Sequence, residues 1–339
     1  MPTDGVDPAD AIDLYCDDRR EEVRDATLES HRYRLTTFAE FLKEHRDVHD
    51  LADVTGRDLH AYKVHRRDEE DIKLVTLQGQ FSTIRQYLKF AASIDACDPE
   101  LVEKVRLPKP ETRARETQLP KVRAERVLEY LDTYEYASRN HALMTMAWHT
   151  ACRMGGMRAL DLRDVHLEDE NPHLQFRHRR DTGTPLKNGE DGERDVGLAE
   201  WAVDVLQDYQ EKKRDDVQDE HGRRPFFTTK QGRLSENWLR VQFYKMTQPC
   251  LVRECPHDEE RSSCEYVQNW RQWASKCPST HAPHDVRRGS ISAHLMAGWP
   301  VPKLSERVNA TPRVIRKHYD VRTSREAMLS RNDYLEVSP

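Results

Sequence analysis

Apolar residues recur along this chain at helical spacing, broken by strongly polar stretches, and the pattern predicts mostly helices. In the N-terminal third, Leu28, Leu35, Phe38 and Leu42 fall on one face of a helix that Thr27 can cap, and Thr55 with Asp58 makes a capping box for the next. Leu77, Phe81, Ile84, Leu88 and Ala91 form a third stripe at 3.6-residue spacing. Together they predict a small all-α domain over residues 1–97. Between Asp98 and Pro120 four prolines stand among charged residues with no apolar period, which predicts a linker at 98–118. From Leu119 onward helices resume, at 121–131, 139–151, about 199–214, 235–247, 284–297 and 311–320. HLQFRHR at 173–179 alternates, RDVGL at 194–198 is short and β-like, and the stretch between them is rich in turn formers, so a β-hairpin is expected there. The fold class is therefore mainly α with a small β-hairpin or sheet (α+β), in two domains, 1–97 and 119–339.

Five polar residues in the second domain carry candidate chemistry. Arg153 lies in TACRMGGMRALDLRDV, Lys187 in TPLKNGEDGERDV, His284 and Arg287 in HDVRRG, and Tyr319 in TPRVIRKHYD. Guanidinium forks match phosphate oxygens bidentately and stay charged, so two of them can neutralise a phosphoryl group as it becomes pentacovalent. A phenol can attack phosphorus and hold it covalently. His284 and Arg287 are three residues apart at a helix start and share a face. Gly155 and Gly156 let the backbone turn sharply after Arg153. Tyr319 closes a helix opened by Thr311 as N-cap and Pro312 at N1, among Arg313, Arg316, Lys317 and Arg322. Tyr334 is a rival phenol without such a basic helix. Each residue alone has an ordinary structural reading; it is the set that argues for a phosphoryl site.

The order and contexts of these residues, with Tyr319 following Arg287 by 32 positions, resemble the tyrosine recombinase (phage integrase) family of archaeal type over nearly the whole chain. The resemblance implies an N-terminal core-binding domain that clamps one side of a DNA duplex and a C-terminal catalytic domain. It also implies a site-specific DNA recombinase in which Tyr319 attacks a phosphodiester, forms a 3′-phosphotyrosine link and frees a 5′-hydroxyl. Lys187 would protonate the leaving 5′-oxygen, a role helped by neighbouring cations that loosen its proton. Catalysis needs no cofactor, the partner is a double-stranded DNA recombination site, and a homo-tetramer assembles on DNA, with the tail 325–339 free to dock on a neighbour. Two departures stand out. Gly156 occupies a position where relatives often have an acidic residue. The usual His or Trp before the tyrosine is replaced by Asn309 on the local pattern or by Ala310 on an ungapped count; Asn309 could still donate a hydrogen bond to phosphate. A type IB topoisomerase and an integrase-derived DNA-binding protein without catalysis are the alternatives.

Charge changes this picture. Acidic residues outnumber Lys plus Arg by 60 to 54, for a net charge of −6, where a DNA-binding protein is ordinarily basic. Few of the basic residues are Lys, a balance resembling proteins of salt-loving archaea. Local basic clusters remain at 31–34, 63–67, 177–180 and 313–318, and the last two, beside the candidate site, are the expected phosphate contacts. No long apolar run is present, so the expectation is a cytoplasmic protein without a membrane span or disulfides.

The core motif does not account for the insert at 250–281. Cys250, Cys255, Cys264 and Cys277 fall there, with His257 and His281 among them. Four thiolates can close a tetrahedral zinc site, which would have a structural role ahead of the helix that bears His284. The spacing is irregular, and packed thiols are the alternative.

Overall fold

A computed structural model of the chain describes residues 5–109 and 117–320, with 325 and 328 beyond them. Arg322, Tyr334 and nearly all of the 325–339 tail lie outside the described residues. The chain divides into two compact units, Met1–Arg113 and Ala114–Pro339.

The first unit is helical: α1 (Asp10–Asp18), α2 (Asp25–Arg46), α3 (Gly56–Asp68), α4 (Leu74–Ser93) and α5 (Glu100–Lys104). The third stripe lies on α4, with Leu77, Phe81, Ile84, Leu88 and Ala91 all buried against Leu35, Phe38, Leu42 and Tyr62. At the start of α3 the Thr55 amide and hydroxyl donate to Asp58 Oδ2 at 2.9 and 2.6 Å. Thr27, by contrast, is not a cap. Helix α2 begins two residues earlier, after an extended Arg24, with Asp25 in the first turn where a carboxylate faces the positive helix end. Residues 98–105, expected in the linker, also belong to this unit. Leu101, Val102 and Val105 are buried in its core, three apolar positions too few to show a period among the charges.

The second unit is built on α7 (Arg139–Thr150), which is buried on several sides. Around it are α6 (Lys121–Tyr134), α8 (Met154–Ala159), α9 (Glu200–Lys212), α10 (Glu236–Met246) and α13 (Pro283–Met296), with α11 (Glu265–Gln268) and α12 (Trp270–Trp273) in the cysteine insert. Strands β1 (Val165–His166), β2 (His173–Phe176) and β3 (Arg194–Gly197) form an antiparallel sheet in that order, and β4 (Thr228–Thr229) pairs β5 (Gly232–Arg233). The expected hairpin is the pair β2–β3, but its connection runs from 177 to 193. An Arg179–Thr184 bridge and a 3₁₀ turn at Gly189–Gly192 interrupt it, so Lys187 sits on the returning limb of a long loop. Gly289 fixes how α13 packs: a Cβ there would lie 2.0 Å from the Leu119 carbonyl oxygen. Finally α14 (Val301–Val308) and α15 (Pro312–His318) pack on α13 through a separate apolar cluster of Ala151, Ile291, Leu295, Leu304, Val308, Ile315 and Tyr319. Among the described residues no helix is long and apolar enough to cross a membrane.

Candidate active site

The second apolar cluster is what brings the phosphoryl-site candidates together. Tyr319 caps the C-terminal end of α15, and Ile315 and Tyr319 bury themselves against α13. Thr311 accepts from the Val314 amide and Pro312 occupies N1, as the sequence indicates. Ser292 of α13 donates to the Tyr319 carbonyl at 2.7 Å, which fixes the backbone next to the phenol. Tyr319 is 6% exposed, and its ring meets His284 edge to face with centroids 6.4 Å apart.

Arg287, one turn of α13 from His284, is 2% exposed. Its Nη2 donates to the Val308 carbonyl at 2.8 Å, its Nη1 to the Ala151 carbonyl, and it hydrogen-bonds Tyr319. Those carbonyls close α7 and α14, so the guanidinium bridges the negative ends of two helices. Ala151 adopts a left-handed φ of 49°, a costly conformation for a residue with a side chain, and this turn directs its carbonyl to Arg287. Burial first, then the charge of Arg153, pulls the Arg287 pKa down to about 10.

Arg153 is the N-cap of α8 and half-buried; burial lowers its pKa and Tyr319 opposes the shift. What orients it is Asn309. That residue, also left-handed at φ 49°, accepts from Arg153 Nη1 at 3.4 Å and from the Asn188 side-chain amide, and donates to the Asp191 carbonyl at 2.7 Å. Asn309 thus ties the first arginine to the β2–β3 loop that carries Lys187, whereas neighbouring Ala310 offers no side-chain polar group. Gly156 has a steric reason: a Cβ there would stand 3.2 Å from two ring carbons of Phe176 on β2. A side chain at this position would require the Phe176 ring to give by a few tenths of an ångström.

Lys187 is exposed, yet close enough for its charge to act on His284. Partial burial, then Arg288 and Arg287, with Lys187 adding to them against Asp285, lowers the His284 pKa to about 4. With that shift the imidazole is neutral near pH 7 until an anion arrives. A bound phosphate would reverse the shift, because a negative charge favours the protonated ring.

Two arginines of this site were not legible in the sequence. Arg194 on β3 stacks 4.4 Å over Phe176 and donates to the Arg307 carbonyl at 2.8 Å; burial chiefly, opposed first by Cys152 and reinforced by the charges of Arg287, Arg153 and Arg307, brings its pKa to about 10. Arg307 on α14 donates to the carbonyls of Gly197 and His149 at 3.0 and 3.1 Å. Among the described residues, none of Arg153, Arg194, Arg287 and Arg307 has a carboxylate partner. Several other buried arginines do: Arg233 pairs Asp161 and Asp219, Arg223 pairs Asp219 at 3.2 Å, and Arg179 pairs Asp164 at 2.6 Å, whereas half-buried Arg123 donates to the Thr247 carbonyl instead. This corrects the expectation for two arginines of the 177–180 cluster, since Arg177 is likewise held by Asp195 at 2.7 Å. Arg313, Arg316 and Lys317 of the other cluster remain exposed beside Tyr319.

The four cysteines of the insert gather without forming a tight shell. The Cys250 thiol is raised in pKa by burial, with Arg261 opposing and Cys255, Cys264 and Cys277 adding to the rise; Cys277 in turn responds to Cys264 and Cys255. Cys264 and Cys277 are buried, and all seven cysteines are free thiols. Among the described residues, however, the set of metal-ligating side chains with its ligand atoms within 4.8 Å of one another lies elsewhere, at His166, Asp169 and His173.

Residues 14–93 match the family described as phage integrase, N-terminal SAM-like domain. The chain is 36% identical to the N-terminal domain of a phage integrase/site-specific recombinase from Haloarcula marismortui, covering 31% of this chain and 100% of that one at a TM-score of 0.30. Over 96% of this chain and 99% of the other, the fold is similar to that of the Tn1549 transposon integrase in complex with transposon right end DNA, with 14% identity and a TM-score of 0.66. A lambda integrase dimer bound to a COC′ core site is similar over 99% of this chain and 80% of that one, at 12% identity and a TM-score of 0.60. No curated protein sequence matches the chain. The chain belongs to the tyrosine recombinase (phage integrase) family.

The depressed histidines make stability depend on pH. His149, lowered to about 4 by burial and then by Arg307 and His294, behaves like His284. The unfolded chain takes up these protons near pH 6.5 and the folded chain near 4, so stability is full above about 6.5 and falls as pH drops toward 4. Thermal unfolding at fixed ionic strength should therefore show a falling midpoint from pH 7.5 to 5, and His149→Gln should flatten part of the slope. A midpoint unchanged across that window would refute the assignment.

Proposed function

We propose that the chain is a site-specific DNA recombinase that cuts and rejoins duplex DNA through a 3′-phosphotyrosine intermediate at Tyr319. The observation that carries this reading is the set of four partly or fully buried arginines without a carboxylate, two of which, Arg153 and Arg287, lie beside a buried tyrosine. Taking such ions out of water costs on the order of several kcal/mol each, while a helix end returns at most about 2 kcal/mol. A phosphodiester supplies the missing negative charge.

In this reading Arg153 and Arg287 stabilise the pentacovalent phosphorane, with Asn309 holding Arg153 in place. The Tyr319 oxygen bonds to phosphorus as the P–O5′ bond breaks. His284, neutral before DNA binds, exchanges a proton with the phenol or with a phosphate oxygen. Lys187, on its exposed limb, delivers the proton to the departing 5′-oxygen. The linkage conserves the bond energy, so no nucleotide cofactor is required, and a tetramer on two duplexes is the assembly that rejoining would use. Arg313, Arg316 and Lys317 contact neighbouring phosphates.

The test begins by selecting, from random duplexes, the DNA that the protein retains, and then offering it with a nick that traps the cleaved strand. A covalent protein–DNA band on a denaturing gel is expected. Retention of DNA without any such band would favour a DNA-binding protein that has lost catalysis. Relaxation of a single supercoiled circle without joining of two sites would favour a topoisomerase.

The insert has its own proposal: the four gathered cysteines hold one structural zinc, which draws their sulfurs into a tetrahedral shell and takes no part in the chemistry. Purified, reduced and active protein should contain about one thiolate-bound zinc per chain. Chelation should loosen 250–281 and lower activity. Active protein without thiolate-bound metal returns the cysteines to packed thiols.

A further inference from the structure

A second metal-ligating cluster lies outside the insert and outside the arginine site. His166 on β1 and His173 on β2 face each other directly across the antiparallel pair, and Asp169 rises from the loop that joins the strands. The Asp169 Oδ2 lies 3.7 Å from His166 Nδ1 and 3.9 Å from His173 Nδ1. The imidazoles are stacked, with centroids 4.5 Å apart and planes 9° from parallel. At these distances the carboxylate makes no hydrogen bond to either ring.

The hydrogen bonding of the two rings is unequal. The His173 Nδ1 donates to the Asn171 carbonyl at 2.9 Å, which fixes that ring and leaves the Nε2 lone pair facing the Gln175 side-chain amide at a long 3.5 Å, a contact an ion would displace. This is the usual way in which the second nitrogen of a metal-bound histidine is held. His166 has no hydrogen bond at either nitrogen, and its Nε2 is buried without a partner. Such an atom is rare in a folded protein, so no protein group competes with an ion for this ring.

We infer that His166, Asp169 and His173 form a site for a divalent transition-metal ion, with zinc the natural occupant for two imidazoles and one carboxylate. Ligand bonds of about 2.0–2.2 Å require ligand atoms that lie within 4.8 Å of one another to draw together, which side-chain rotation at a partly exposed hairpin allows. Water fills the fourth position. The ion staples β1 to β2 at the end opposite Phe176, the residue that packs on Gly156 below Arg153. It therefore stiffens the strand that supports the first catalytic arginine without touching it.

The experiment uses the full chain, stripped with chelator and titrated with Co²⁺ and then with Zn²⁺. Co²⁺ at a two-histidine, one-carboxylate site gives visible d–d bands without the near-ultraviolet charge-transfer band of thiolate ligands, which separates it from the cysteine insert. We expect His166→Ala, His173→Ala and Asp169→Asn each to weaken the thiolate-free ion by at least about tenfold, with any thiolate band unchanged. Zn²⁺ should raise the melting temperature of the parent protein more than that of the variants. Asp169→Asn, at an exposed loop position, guards against misfolding of the strand variants, and melting in chelator checks all three. Thiolate-free ion binding that is absent from the parent, or equal in parent and Asp169→Asn, overturns the site and leaves a stacked histidine pair.

Discussion

Tyr319→Phe is expected to eliminate covalent attachment to nicked DNA altogether while leaving DNA retention within about twofold, because it removes one oxygen and keeps the ring. The ring itself is structural: it fills the cluster of Ile291, Leu295, Leu304 and Ile315, and Ser292 holds its backbone carbonyl. Phe preserves that packing and loses only the hydrogen bond to Arg287. The measurement is a denaturing gel for the covalent species beside a native gel for binding. Covalent complex persisting in the Phe variant would move the nucleophile elsewhere.

The second large effect separates charge stabilisation from proton donation. Arg153→Ala should slow cleavage by about 10²–10³-fold, the usual loss when one preorganised donor to a developing anion is removed. Arg153 is the better test than Arg287, whose guanidinium also ties the ends of α7 and α14 together and whose loss would disturb the fold. Lys187→Ala should also slow cleavage strongly. A substrate with sulfur in place of the bridging 5′-oxygen should restore the Lys187 variant, because a thiolate leaves without a proton, and should not restore the Arg153 variant. Equal rescue of both, or of neither, would remove Lys187 from the role of general acid.

Four of the residues expected to act at the phosphoryl site have distinct mechanical tethers. Arg287 is held by carbonyls, Tyr319 by an apolar cluster and Arg153 by Asn309, while Lys187 rides a long loop anchored through Asn188 and Asp191. Asn309, singled out only because it departs from the family pattern, is thus the link between the most fixed and the most exposed part of the site.

The sequence by itself determined the longer helices α2, α3, α4, α6, α7, α9, α10 and α13, though not α1 or α14, together with the stripe on α4, the cap and proline that open α15, and the order of the residues that converge at Tyr319. These are local matters: a 3.6-residue period, a capping side chain and a chemically distinctive residue are each visible within a few positions. Only the tertiary structure decided which arginines lack a carboxylate. Arg177 and Arg179 of RHRR are paired with Asp195 and Asp164, whereas Arg194 and Arg307, which no local signal marks, lie without a carboxylate in the site. It also decided that Gly156 packs tightly under Phe176, that 98–105 belongs to the first core, and that His166 meets His173. Ion pairing, close packing and cross-strand register join residues distant in the chain, and no local spacing encodes them.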